Sequence, residues 1–319
     1  MNKILVIRFS SIGDIVLTTP VVRCIKNQLP GAEVHYLTKE QFGPVLKENP
    51  YIDKFWLFNG SFSEIIPALR KEKFDFVVDL HRNLRSLRIR LGLMRPGNSF
   101  PKLNFRKWLL VNLRINLLPQ LHVVDRYFEA VGNLEVSNDN EGLDFFIPLA
   151  DEVSPPFPAY TAVVIGGKHN TKIFPPEKVA EVVSKLKHPA VLLGGKEDAE
   201  RGKKIVELTG GKAVSFCGSL NLNQSASLLK QSSAVLTNDT GLMHIAAALG
   251  KKIVSVWGNT IPAFGMYPYL PDGIGESFIA EVGSLSCRPC GKLGHDECPR
   301  THFRCMKDID TAEILKHLE

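Results

Sequence analysis

Short apolar runs alternate with amphipathic stretches twice along this chain, and a proline-rich segment divides the two series. That alternation constrains the fold more than any single motif. Ile4–Ile7, Val34–Leu37, Phe55–Phe58 and Phe74–Asp79 read as strands, and continuous apolarity is what parallel strands covered on both faces require. Ile15–Gln28 predicts a helix with Pro20 as a local disturbance, and helix Val124–Val131 closes the first series. Residues 148–158 hold four prolines and read as a linker. Strands are then expected at Tyr160–Ile165, Ala190–Leu193, Ala213–Phe216, Ala234–Thr237 and Ile253–Trp257. Helices Pro176–Leu186, Asp198–Thr209 and Leu222–Gln231 separate them. A length of 319 residues suits two domains. The expectation is α/β: two doubly wound, Rossmann-like domains, 1–155 and 156–319, facing an interdomain cleft. The second also carries a cysteine-rich segment and a C-terminal helix. In such sheets ligands sit beyond the carboxyl ends of the strands.

Composition narrows the class. Hydrophobic residues make up 44% and charged residues 23%, ordinary for a globular protein, and no apolar run approaches the roughly 20 residues of a membrane span. The first ten residues superficially resemble a signal peptide, but Arg8 and Asp14 interrupt the apolar core and no small-residue cleavage site follows. They read as a first strand, and the protein as cytoplasmic. The net charge of +6 is unevenly spread. Arg82, Arg85, Arg88, Arg90, Arg95, Lys102, Arg106, Lys107, Arg114 and Arg126 are accompanied by one acid, Asp125. Leu84, Leu87, Leu91, Leu93, Phe105 and Trp108 are interleaved with them. This mixture suits an anionic amphiphile or a membrane face, and a solvated basic helix face is the plainer alternative. No nucleic-acid motif is present, so nucleic acid is not an expected partner.

Neither the Gly-x-Gly-x-x-Gly fingerprint nor a Walker phosphate loop occurs, which argues against a dehydrogenase or an ordinary NTPase. Three other clusters follow strands. Ser10-Ser-Ile-Gly-Asp14 places an acid where it can act as general base or cap the next helix. Gly166-Gly-Lys-His-Asn-Thr-Lys172 offers two lysines to a diphosphate, or forms a solvated loop. Asn238-Asp-Thr-Gly-Leu-Met-His244 opens a helix, whose N–H groups and positive dipole end suit an anion; a plain cap with a packed helix is the alternative. In Gly194-Gly-Lys-Glu-Asp-Ala-Glu200 an acid can hold ribose hydroxyls or merely begin a helix. Cys287, Cys290, Cys298 and Cys305 suggest a structural tetrahedral zinc site, with free thiols or a redox-sensitive pair also open. Cys24 and Cys217 read as buried thiols.

Three of these motifs agree with one family. Ile4-Leu-Val-Ile-Arg-Phe-Ser-Ser-Ile-Gly-Asp-Ile15, Lys172-Ile-Phe-Pro-Pro-Glu177, and Asn238-Asp-Thr-Gly-Leu-Met-His-Ile-Ala-Ala-Ala-Leu249 followed by Trp257-Gly258 stand in order over nearly the whole chain. The chain resembles the lipopolysaccharide heptosyltransferases, family 9 of the glycosyltransferases, with the two-domain GT-B fold. The resemblance implies an inverting, metal-independent transfer of a heptose or related sugar. The donor is a nucleoside-diphosphate sugar, expected to be ADP-heptose; the acceptor is a lipopolysaccharide core or related cell-envelope glycan. It implies Asp14 as base and Lys172 on the donor phosphate. Gly13, Gly167, Lys168, Asp198, Asp239, Thr240, Gly241, Leu242, Met243 and His244 become donor-binding residues, with Glu197 and Glu200 as further candidates for the ribose. Ser10, Arg82, Arg85, Arg88 and Lys107 become acceptor-binding residues. No catalytic cofactor is implied; the enzyme is expected as a monomer, peripheral to the inner face of the cytoplasmic membrane. The chain departs from the pattern at Gly167 and Lys168, where hydroxyl residues commonly contact phosphate. A transferase or epimerase for another nucleotide sugar, or a non-catalytic sugar-nucleotide or anionic-lipid binding protein, are the alternatives.

Overall fold

Residues 2–319 are described by a computed structural model. They form two compact units, Met1–Lys102 with Leu121–Phe146, and Leu103–Gln120 with Ile147–Glu319. The first unit holds a parallel sheet of β1 (Lys3–Ile7), β2 (Glu33–Lys39), β3 (Lys54–Phe58), β4 (Phe76–Asp79) and β5 (Gly97–Ser99), in the order β3-β2-β1-β4-β5. The second holds β6 (Thr161–Val164), β7 (Ala190–Leu193), β8 (Ala213–Ser215), β9 (Ala234–Asn238), β10 (Ile253–Trp257) and β11 (Ser277–Glu281), in the order β11-β10-β9-β6-β7-β8. All the strand pairs are parallel. Both sheets are doubly wound, and strand order reverses between β1 and β4 in one and between β6 and β9 in the other. Those reversals leave the crevices in which such folds bind ligands.

The cores explain the sheets. Leu5, Ile7, Leu37 and Val77 pack with Ile65, Leu69, Ile89 and Leu93 from covering helices. In the second unit Val163, Leu192, Leu236 and Val254 pack with Val179, Val182, Val183, Ile205 and Ile314. β5 and β11 escape a reading by apolar periodicity because they are edge strands: Gly97-Asn-Ser99 is polar, and only Ala280 of β11 is buried.

Three expectations are corrected. The helix expected over Ile15–Gln28 is two helices, Ile12–Val16 and Thr19–Gln28. Pro20 has no N–H for the Val16 carbonyl, which accepts instead from Thr19 Oγ1 at 2.8 Å. The boundary falls after Phe146, not after residue 155, because residues 151–153 are tied to helix Leu222–Gln231. Asp151 accepts from Asn221 Nδ2 at 2.8 Å and Asn223 Nδ2 at 3.0 Å, and Val153 N–H donates to Ser227 Oγ at 3.0 Å. The segment Leu103–Gln120 belongs to the second unit, where Arg114 donates to the carbonyls of Pro289 (2.7 Å) and Cys287 (3.2 Å).

Candidate active site

At the first reversal, the chain leaving β1 turns through Ser10 and Ser11 into helix Ile12–Val16. Ser11 is the N-cap and Asp14 the third helical residue, so Asp14 occupies the far side of a capping box rather than the cap itself. Its Oδ2 accepts from Ser11 N–H at 3.1 Å and Ser11 Oγ at 2.7 Å. Its Oδ1 pairs with Arg8 Nη2 at 2.6 Å, and 23% of the side chain stays exposed. Arg8, which the sequence reading passed over as an interruption, is buried and strongly tethered. It donates through Nε to the Ser10 carbonyl at 2.8 Å and through Nη1 to the Leu80 carbonyl and Tyr127 Oη. The guanidinium therefore joins the loop after β1 to the loop after β4 and fixes the carboxylate between them. Gly13 is buried one residue before Asp14.

The loop after β4 is built around Asp79, a buried acid that sequence reading did not single out. It accepts from His81 N–H (2.9 Å), Arg82 N–H (2.7 Å) and Ser86 Oγ (2.8 Å). An Asp closing a strand just before a helix was the available signal. His81 packs edge-on against Phe9, with ring centroids 5.1 Å apart. Burial, then the charges of Arg8 and Lys102, push its pKa down to about 3, so the ring is neutral at physiological pH. Arg82 is exposed and donates to the Phe100 carbonyl at 2.8 Å, and Arg88 lies 4.4 Å over the Phe62 ring. Arg85 lines a cavity of about 580 Å³ with Lys39, Glu40, Gln41, Phe58, Asn59 and Phe62, beside the carboxyl ends of β2 and β3. Lys107 is not part of this group. It is buried in the second unit, its ammonium 5.4 Å over the Phe264 ring.

The second reversal gathers the other two motifs. Asn238, the last residue of β9, is buried. Its Oδ1 accepts from Phe174 N–H and its Nδ2 donates to the Gly166 carbonyl, both at 3.0 Å. One side chain thus clips both ends of the loop after β6. Within that loop Lys172 pairs with the Asp239 carboxylate, which also accepts from Thr260 Oγ1 at 3.1 Å. Thr240 caps helix Gly241–Ala248, its Oγ1 accepting from Leu242 N–H at 3.1 Å. The amides of Gly241 and Met243 complete a first turn with no carbonyl of their own helix to reach. Met243 and His244 are buried, and Lys168 is exposed. Gly167 approaches Ile173, where a Cβ would stand 3.1 Å from the side chain.

Asp198, expected on the ribose, is buried beneath the two glycine turns: a Cβ on Gly166 would collide with its carboxylate, and one on Gly194 would stand 2.8 Å from its Cβ. Oδ2 accepts from Gly195 N–H at 2.9 Å and Oδ1 pairs with Arg201. Burial raises its pKa. Glu197, one residue earlier, is exposed and curls back over Gly195; Glu200 is exposed and pairs with Lys203 at 2.6 Å. Alternation of solvent and core around a short helical turn separates Glu197 from Asp198, and their adjacency in sequence conceals it.

The cysteine segment braces the Lys172 turn. Thr171 N–H donates to the His295 carbonyl at 3.1 Å, and His295 N–H returns to Thr171 Oγ1 at 2.8 Å. Arg288 holds the carbonyls of Gly258, Trp257 and Thr260. All the cysteines are free thiols, and Cys290 Sγ lies 3.2 Å from the Cys287 carbonyl. Burial pushes the Cys305 thiol up to about 11. Among the described residues, the one His/Cys/Asp/Glu group with ligand atoms within 4.8 Å of one another is Glu33, His35 and Glu72. The Lys3 ammonium already stands 3.0 Å from both glutamates. The four thiols therefore do not converge as a zinc site requires.

Comparison with known proteins agrees with this fold. The sequence pattern of glycosyltransferase family 9 (heptosyltransferase) matches residues 63–290. The chain is 25% identical over 294 residues to lipooligosaccharide heptosyltransferase 2 of Haemophilus influenzae, covering 82% of this chain and 85% of that one. The crystal structure of a family 9 glycosyl transferase from Veillonella parvula superposes with a TM-score of 0.77 at 22% identity, over 99% of this chain and 96% of that one. The ADP-heptose lipopolysaccharide heptosyltransferase II of E. coli superposes at 0.74 and 20% identity, over 99% and 97%.

Proposed function

The chain belongs to glycosyltransferase family 9, the heptosyltransferases, and from that premise we propose that it transfers a heptose from ADP-heptose, with inversion, to a lipid-linked core glycan of the lipopolysaccharide type. The observation that carries the reading is the pair of switch-point sites: a tethered carboxylate in one unit, a cation and a helix start in the other. An acceptor hydroxyl attacks the anomeric carbon from the face opposite the leaving ADP. Asp14 takes the hydroxyl proton as the new glycosidic bond forms. The bond from the anomeric carbon to the diphosphate oxygen breaks, and negative charge grows on that diphosphate. Lys172 and the amides at Gly241 and Met243 stabilise this charge, which is the work a divalent ion performs in other transferases. Thr240 caps the helix start, and Asp239 faces the sugar. Glu197, exposed beside Gly195, holds the ribose, while Asp198 shapes the glycine turns from below. Arg82, Arg85 and Ser10 meet the anionic acceptor, and the enzyme works at the inner face of the cytoplasmic membrane.

A ligand-induced thermal shift across ADP-, GDP- and UDP-sugars tests the donor. A selective response to ADP-heptose is expected. A selective response to a UDP- or GDP-sugar would move the protein to a different transfer reaction on the same fold. Metal analysis of protein purified without added zinc decides the cysteine segment. One equivalent per chain would mean that Cys287, Cys290, Cys298 and Cys305 close together on binding.

A further inference from the structure

Helix Leu84–Leu93 is apolar on the side that faces away from its own core. Ser86, Ile89 and Leu93 are buried and face the sheet. Leu84, Leu87, Leu91 and Met94, spaced to share the opposite side, are 85%, 44%, 68% and 77% exposed. A surface helix of a water-soluble domain normally carries polar residues there. Within the segment that carries this stripe the charge is of one sign: residues 82–95 contain Arg82, Arg85, Arg88, Arg90 and Arg95 and no acid. The one acid that lines the cavity with Arg85 and Lys39 is Glu40. Arg85 and Arg88 are exposed on the helix itself, and Arg85 also lines the cavity at the ends of β2 and β3. Among the described residues no helix is long and apolar enough to cross a membrane.

We propose that the outer face of helix Leu84–Leu93 docks on an anionic lipid bilayer, its leucine stripe entering the headgroup boundary and its arginines pairing with lipid phosphates. Aliphatic side chains beside arginines suit that surface. Nucleic acid gives four exposed aliphatic side chains nothing to bind, since it is held by cations and stacked on by aromatic rings. A second copy of the chain would set five arginines against five. Docking through this helix puts the Arg85 cavity next to the headgroups, where the glycan of a lipid-linked acceptor begins. For that purpose the inference rests on the acceptor proposed above, but the docking itself is read without donor or acceptor, so the two readings fail separately.

The test is co-sedimentation with vesicles of phosphatidylcholine alone or mixed with phosphatidylglycerol. The protein is expected to favour the anionic vesicles by about fivefold for each arginine that reaches the headgroups, and to be released by salt. The double variant Leu84→Gln, Leu91→Gln is expected to lose about tenfold or more of this binding. Its turnover on an acceptor fragment lacking acyl chains should not change. Leu84→Trp should bind more tightly, because indole favours the interface. Equal binding by the wild type and the double variant, or no preference for anionic vesicles, would overturn the proposal. So would a dimer in sedimentation velocity that the double variant abolishes, which would assign the face to self-association.

Discussion

The two switch-point sites are built alike and charged in reverse. In the first unit a buried cation, Arg8, holds an acid, Asp14, that keeps contact with solvent. In the second, Lys172 and Asp239 are comparably shielded, and the pair precedes a helix start whose own dipole end is positive. The difference teaches which atom each site offers. Arg8 is spent on two carbonyls, a tyrosine and the carboxylate, so it anchors; the group of that unit proposed to react is Asp14. Lys172 is paired with one carboxylate, Asp239, and lies on a loop clipped at both ends, so under the proposed function it is the group that exchanges partners.

Four experiments break or sharpen this contrast. Asp14→Asn keeps the size of the side chain and removes the base: turnover should fall by about a thousandfold with donor affinity unchanged, since general-base catalysis supplies roughly a hundred- to ten-thousandfold. Near-normal turnover would remove Asp14 from the chemistry and leave it as half of a capping box. Lys172→Ala should weaken ADP binding by roughly ten- to a hundredfold in calorimetry, the range of a charged hydrogen bond; unchanged affinity would dissolve the distinction between anchor and exchangeable cation. Glu197→Gln should weaken nucleotide binding several-fold at constant Tm, whereas Asp198→Asn should lower stability by about 1–3 kcal/mol with little effect on affinity once folded. The reverse pattern would return the ribose to Asp198.

The smallest effect is a pH dependence. His81 has a folded pKa of about 3 against an ordinary 6.5, so between those values the unfolded chain binds the extra proton. Stability then rises with pH across that window and is lost as pH falls through it. Replacing His81 with Gln should flatten urea-denaturation midpoints against pH below about 6.5 by one proton's worth of slope. Identical pH profiles for the two proteins would show that the ring is solvated and outside the tethered site.

Much of this was legible because strand–helix alternation and the glycine-bearing turns are local signals. β1, β7 and β10 and helix Leu222–Gln231 fall where apolar periodicity puts them. What stayed hidden depends on contacts between distant residues. Arg8 reaches Leu80 and Tyr127, 72 and 119 positions away, and no spacing rule connects them. Lys107 reads as one more cation in a basic run until its contact with Phe264 is seen. Asp198 reads as the first candidate for the ribose, ahead of Glu197, until Gly166 and Gly194 are found against it. The basic stretch was readable as charge, but only the fold shows that its helix Leu84–Leu93 turns leucines outward.

The Lys172–Asp239 pair has a thermodynamic consequence for any phosphate that enters its site. The ligand does not meet a waiting cation; it competes with a carboxylate already in place. Its measured affinity is an exchange free energy, the gain at Lys172 less the loss of the ion pair, and so understates the strength of the new contact. The same exchange leaves Asp239 Oδ2 with Thr260 Oγ1 and without its cation, open to the hydroxyl of a sugar under the proposed function. Recognition of the phosphate and of the sugar would then be coupled events, and Asp239→Asn should tighten binding of ADP alone while erasing the preference for the full sugar nucleotide.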